Sequence, residues 1–464
     1  RALELRLQRL EDEFLVAEGA LRAAEPRYAA YRHPQAVEPS RFGHEVLRPD
    51  ELYLDYLLGE RASYLWAIGR DGLAMYRLPP RDAIIGRLDA VLPLLRDVNL
   101  AGAEPEYLAG PLRELSAVLL GPVWTRLKHA HRVIVAPDGR LHYLPFEVLL
   151  AASALAADSA LAAEPSPGAR AAQGDVGEAQ RPPSARSYAD LPYLINHWDV
   201  QYAPSAGVLS MLRGQAPAQP DQRSRILIIG NPLRDASGRT NPLVSLSASA
   251  GARTPTLAPA PAPAPAPVPG AAQETAAILS CFPDRQTTRL IGPAATETSL
   301  RTEAEARAYR FIHFATHGFY NEHRPRYSGL ALTPSEEDDG LLSVAEIYSL
   351  PLPCRVLVLS ACSTALGELL DAEGMSGLVR AFLYAGADNV IATLWDVPGV
   401  PAADFMGAFY QASRSHEPSD LDAAGALGEA KRGMIRGEMG AGKHGFDRAH
   451  PYYWSAYVLT GCGR

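Results

Sequence analysis

Two runs decide the fold: Arg310-Phe311-Ile312-His313-Phe314-Ala315-Thr316-His317-Gly318 and Arg355-Val356-Leu357-Val358-Leu359-Ser360-Ala361-Cys362-Ser363. Each is short, apolar, rich in branched and aromatic residues and free of Pro, which predicts a buried strand. Each ends on a reactive side chain, His317 or Cys362. Ser343 to Leu350 between them carries a helix pattern. Strand, helix, strand predicts a parallel sheet with a right-handed crossover. Ligands of such sheets bind outside the carboxyl ends of the strands. His317 and Cys362 are therefore expected at one edge of one sheet. A Cys facing a His there is the minimum for thiolate attack on a carbonyl.

Working outward, the first 40 residues read as helix, with Leu3, Leu7, Leu10, Phe14, Ala17 and Leu21 as one apolar stripe. It packs on the domain behind it or ends a helical repeat region. Tyr53–Leu58, Ser63–Ile68 and Leu73–Leu78 predict strands, and Asp71-Gly72 predicts a hairpin. Helices are expected near 81–98 and 106–127, then a buried strand at Arg132–Ala136. His142-Tyr143-Leu144-Pro145-Phe146 reads as a turn docking aromatics on the core, because no Cys is placed to partner His142. Residues 151–190 are Ala, Ser, Pro, Gly and charge, which predicts a disordered insertion. His197–Pro204 and Arg225–Gly230 resume as strands. The Pro-Ala alternation of 258–269, within a low-complexity linker at 233–270, predicts a polyproline II spacer. Helices near 271–282 and 296–309 lead into the His317 strand. Beyond Cys362, a helix at Gly374–Ala387, a strand at Asp388–Trp395, helices near 401–414 and 421–436 and a strand at Tyr457–Leu459 complete the pattern.

The 464 residues carry a formal net charge of −8 with no Lys/Arg cluster, which argues against nucleic acid as a partner. No apolar run of membrane-spanning length and no signal peptide is visible, so a cytoplasmic location is expected. The first residue is Arg1, so the sequence reads as a piece of a longer chain. The four cysteines, Cys281, Cys354, Cys362 and Cys462, lack metal or disulfide spacing, which points to free thiols in a reducing compartment. Cys281, Cys354 and Cys462 read as small buried hydrophobes, and His313 as a satisfied core histidine. A zinc site from His317, His323 and Cys362 lacks the usual spacing, and no metal or cofactor is expected.

His317-Gly318, Leu359–Cys362, Gly377-Leu378-Val379-Arg380-Ala381-Phe382, Ala385-Gly386-Ala387, Leu394-Trp395 and the closing Trp454–Gly461 appear in an order similar to the CHAT family of caspase-like cysteine peptidases, relatives of separase and the caspases. The resemblance covers roughly Val46 to Gly461. It implies an α/β fold: a caspase-like, mostly parallel sheet flanked by helices, with a pseudo-peptidase half and an active half. On this reading residues 1–45 are an N-terminal helical segment, 46–232 the pseudo-peptidase half and 271–464 the catalytic half. The resemblance further implies a Cys362–His317 dyad, with the backbone N–H groups of Gly318 and Cys362 as the oxyanion hole. Relatives that cut after Arg or Lys often carry an acid two residues before the nucleophile. Here that residue is Ser360, which points weakly to a neutral P1 residue. Asp339, in the acidic run Glu336–Asp339, and Glu373 are further pocket candidates. The implied partners are a protein substrate, in some relatives gasdermin-like and linked to bacterial defence, and an upstream repeat or sensor region. An inert scaffold on the same fold, or a thiol acyl hydrolase, are the rival readings.

Overall fold

The computed structural model describes residues 31, 36–151, 185, 187–216, 226–230, 270–319, 328–360, 373–397, 399–414, 421–439 and 447–463. The stripe in the first 30 residues, the Pro-Ala spacer, most of the 151–190 insertion, His323 and Cys362 lie outside them.

Fourteen short strands are described: β1 (Glu51–Leu57), β2 (Ser63–Gly69), β3 (Gly72–Leu78), β4 (Arg132–Ala136), β5 (Asp199–Tyr202), β6 (Ile226–Gly230), β7 (Thr287–Ile291), β8 (Tyr309–Ala315), β9 (Gly318–Phe319), β10 (Gly329–Ala331), β11 (Leu341–Ser343), β12 (Cys354–Leu359), β13 (Asn389–Thr393) and β14 (Tyr457–Gly461). Eleven of them form one sheet in the order β3-β2-β1-β4-β5-β14-β13-β12-β8-β6-β7. β6 precedes the 233–270 stretch in sequence yet pairs in parallel with β8 and β7. β14 is the seam, antiparallel to β13 and parallel to β5. The parallel set β4-β5 therefore runs against the parallel set β13-β12-β8-β6, and the two sets present their carboxyl ends at opposite rims of the sheet.

The longer helices are α1 (Arg81–Arg96), α2 (Pro105–Leu119), α3 (Ala206–Gly214), α4 (Ala271–Cys281), α5 (Glu297–Ala306), α6 (Glu373–Ala385), α7 (Gly399–Arg414) and α8 (Ala423–Ile435). Parallel strands need apolar cover on both faces. One face is buried under α1, α2, α4, α7 and α8, whose Leu88, Leu112, Ile278, Phe405, Phe409 and Leu427 share a core cluster. The other is buried under α3, α5 and α6, with Leu212, Leu300 and Phe382 in a second cluster. β8 shows the alternation: Phe311 joins the first cluster, Ile312 and Phe314 the second.

The structure departs from the sequence reading in a few places. The β2–β3 hairpin forms as expected, with Gly72 at φ +105. The helix expected over 106–127 stops at Leu119, because Gly121-Pro122 break it into a 3-10 turn before Trp124–Leu127. The helix pattern over 343–350 yields only the turn Val344–Ile347, capped by Ser343 and Glu346. Ahead of it lies a side sheet, β9-β10-β11, of strands too short for a period to show. Tyr188, inside the stretch read as disordered, is buried and donates to Leu100 O at 3.1 Å.

Candidate functional site

β8 and β12 pair in parallel, with Phe314 opposite Leu359. The ladder continues past β12: Ser360 N donates to Phe314 O at 3.0 Å. Both strands thus leave the sheet at one rim, β8 towards His317 and β12 towards Cys362. His317 is half-buried. Its carbonyl accepts from Ala331 N at 2.8 Å, Gly318 pairs with Leu330, and Thr316 Oγ1 donates to Ala331 O. The side sheet therefore grips the chain on both sides of His317. This support was illegible in sequence, although Thr316 and Gly329 are its signal. A Cβ on Gly329 would fall 2.1 Å from Leu342 O, so only Gly admits β11 so closely.

The same rim receives two helix starts. Ala271 of α4 packs on Ala315. Gly270, at φ +88, lies so near the start of α7 that an added Cβ would be 2.1 Å from Gly399 Cα. Helix N-termini carry partial positive charge, so two of them beside the end of β8 favour an anion there, such as a thiolate or an oxyanion.

The remaining candidates fall as follows. Ser360 is half-buried at the end of β12, and Glu373 opens α6. Asp339 is exposed and its Oδ1 accepts from Leu341 N at 2.8 Å, while Asp338 Oδ2 accepts from Thr298 N at 2.8 Å, at the start of α5. The acidic run is thus tied to its own loop and to α5. His313 is fully buried, with Nδ1 3.0 Å from Tyr410 OH and Nε2 3.4 Å from Glu274 Oε1. Cys281, Cys354 and Cys462 are free and buried, and burial pushes the Cys354 thiol well above its ordinary range. Among the described residues no three His, Cys, Asp or Glu side chains are placed to hold a metal ion. His142 follows β4 and so lies towards the rim opposite His317. Burial, with Arg380 second and Asp138 opposing, lowers its pKa to about 4.

The family model described as CHAT domain matches residues 109–462, well over half of the chain. The chain belongs to the CHAT domain family. Among curated proteins it is similar to the human Tetratricopeptide repeat protein 28, 24% identical over 416 residues, 78% of this chain and 13% of that protein. The mouse protein of the same name is 29% identical over 225 residues, covering 40% of this chain and 8% of the mouse sequence. The chain thus spans a small part of the curated relatives it matches. Among solved structures, a Saccharomyces cerevisiae separase–securin complex gives a TM-score of 0.48 at 11% identity, covering 95% of this chain and 31% of the matched one. The Arg specific cysteine proteinase gingipain R gives 0.38 at 10% identity, covering 76% and 67%.

Proposed function

We propose that this CHAT domain is a cysteine endopeptidase in which Cys362 attacks the peptide carbonyl and His317 takes and returns the proton. The parallel pairing of β8 with β12 carries the reading. It fixes the two strand ends about 4.8 Å apart at one rim. From Ser360 the two residues of chain to Cys362 reach at most about 7 Å. The step is thiolate attack, collapse of the tetrahedral intermediate with protonation of the leaving amine by His317, then hydrolysis of the thioester. The N–H groups of Gly318 and Cys362 are the proposed oxyanion donors. The α4 and α7 starts add positive potential at that rim. Ser360, two residues before the nucleophile, brings no negative charge and favours a neutral P1 residue.

The substrate in this reading is a partner protein, gasdermin-like in some members of the family, and control comes from the region upstream. Two observations favour upstream control. The curated relatives are named for tetratricopeptide repeats and are much longer than this chain. Tyr31 donates to Leu383 O at 3.1 Å and stacks edge-on against Tyr384, both near the end of α6, the helix that follows Cys362 in sequence. No described helix is long and apolar enough to cross a membrane.

The test is cleavage of a proteome-derived peptide library by the wild-type chain, by Cys362→Ala and by His317→Ala, read by mass spectrometry. Cuts that share one P1 type and vanish in both variants are expected. An identical cut pattern in wild type and Cys362→Ala, with the native upstream region attached, overturns the reading.

A further inference from the structure

The end of the sheet formed by β1, β2 and β3 has one bare face. Strand pairing sets Leu57, Tyr64 and Arg77 in one row across it, Asp55, Trp66 and Met75 in the next, and Tyr53, Ile68 and Leu73 in the third. Directly paired residues point to the same face. The other face, with Leu54, Tyr56 and Leu65, is buried in the first core cluster. At one corner of the bare face, Phe42 shares a cluster with Tyr53 and Ile68, and Val37 packs against it. The remainder is open: Leu57, Leu73 and Met75 are 47%, 48% and 60% exposed, and the rings of Tyr64 and Trp66 are half-buried. A contiguous apolar surface of this kind marks a contact site. We propose that it seats residues 1–30 of this chain, with the stripe of Leu3, Leu7, Leu10, Phe14, Ala17 and Leu21 laid across Trp66 and Met75.

Three arguments choose this occupant over a second copy of the chain. Reach is the first. Tyr31, which follows the segment, is fixed to Leu383 O at the end of α6. It lies in the second core cluster, and α3 contributes to that cluster and to the one around Tyr53, so both are on one side of the sheet. The end of α6 is also at the rim where β1 and β3 end, because these two strands run with β4. Six strand spacings of about 4.8 Å separate β13, under α6, from β3, about 29 Å in all. A helix of 30 residues is about 45 Å long and spans that distance. Area is the second. The open side chains bare on the order of 300 Å² of apolar surface, well short of the roughly 800 Å² that each partner buries in a standard interface. A tethered segment needs less, because linkage raises its effective concentration. Charge is the third. Glu4, Glu11 and Glu18 recur every seventh residue beside the stripe and form an acidic flank on a helix. Arg77, exposed on the bare face, forms no ion pair among the described residues and supplies the opposite charge. The polar member of the face, Asp55, already accepts from Tyr53 OH at 3.1 Å.

The test places a photo-reactive benzophenone side chain at position 75 of the 464-residue chain, in place of that of Met75. After irradiation, mass spectrometry of the digest locates what it has captured. The expected product is an intramolecular link to a peptide within residues 1–30, with a yield unchanged on dilution. Phe14→Asp is expected to lower that yield at least about fivefold, as exposure of one buried aromatic ring implies, and Phe14→Leu to keep most of it. The same probe at Tyr107, 61% exposed on α2 over the opposite sheet face, is expected to capture none of residues 1–30. No capture of residues 1–30 from position 75 overturns the proposal. So does equal capture from position 107, or a yield that Phe14→Asp leaves unchanged. Links between chains that fade on dilution also overturn it and assign the face to a second copy. If Phe14→Asp does not fold, Leu10→Asp decides by the same measure. The readout needs no catalysis, so the seat stands or falls independently of the peptidase reading.

Discussion

Replacing Lys431 by Met should destabilise the protein far more than replacing Lys431 and Glu147 together. Lys431 Nζ lies 2.5 Å from Glu147 Oε1, and the two side chains are 1% and 0% exposed. Tyr202 OH donates to the other carboxylate oxygen at 2.6 Å and itself accepts from Phe146 N at 2.7 Å. Burial lowers the Lys431 pKa and Glu147 opposes it. Met keeps most of the side-chain length but leaves the carboxylate with Tyr202 as its one remaining side-chain donor among the described residues. Removing one partner of a buried pair costs about 3–5 kcal/mol, because the other charge stays desolvated. Glu147→Leu with Lys431→Met removes both charges and should cost about 1–2 kcal/mol, mostly for the orphaned Tyr202 hydroxyl. The cycle should therefore show a coupling of at least about 2 kcal/mol. Urea unfolding of the four proteins, followed by tryptophan fluorescence, measures it. A Lys431→Met cost below about 1 kcal/mol, or additivity within about 0.5 kcal/mol, would refute the reasoning.

Gly270→Ala should destabilise by at least about 2 kcal/mol, since it combines φ +88 with a Cβ 2.1 Å from Gly399 Cα; a thermal melt checks it. Burial first, then Glu346, Asp338 and Asp339, raises the Glu297 pKa to about 7 from 4.5. Glu297 therefore favours folding most when protonated, and stability is lost as pH rises from about 4.5 to about 7. Glu297→Gln should be near neutral at pH 4 and stabilising above pH 7, by at most about 3 kcal/mol at 1.36 kcal/mol per unit; denaturant melts across pH that show no trend would refute this. Cys362→Ala and His317→Ala should each abolish labelling by a peptide-like thiol electrophile while leaving the melt within about 1 kcal/mol of wild type. Labelling of Cys362 no faster than of Cys281 would count against the dyad.

Much of this fold was legible because apolar runs with clear borders dominate it. β4 falls on Arg132–Ala136 as read, and α4, α5 and α8 fall within a few residues of their patterns. What sequence could not show is long-range. Nothing in Tyr457–Leu459 marks it as the strand between β5 and β13, nor in Arg225–Gly230 that it joins β8 across more than 80 residues of chain. Periodicity gives an element but not its neighbour or direction, so the opposed rims were invisible. Of the candidate site, the rim position of His317 was readable from the β8 run. Its grip by β10 was not, because a three-residue strand carries too little pattern. Gly270 and Gly399 were unmarked among many glycines, since only contact geometry separates a required one from a tolerated one.

The seam strand has a consequence for how the sheet is assembled. β14 follows the other ten strands of the sheet in sequence, yet it lies in the middle of the eleven-stranded order. On the ribosome, all ten can emerge while the two strand sets still lack the piece between them. Joining must wait until Tyr457–Gly461 has cleared the exit tunnel. A chain cut short before this strand would hold two unsealed sheet edges, β5 and β13, instead of one closed slab. Synthesis order thus sets closure order: the sheet that carries the His317 rim is sealed by the strand that is made after all its neighbours.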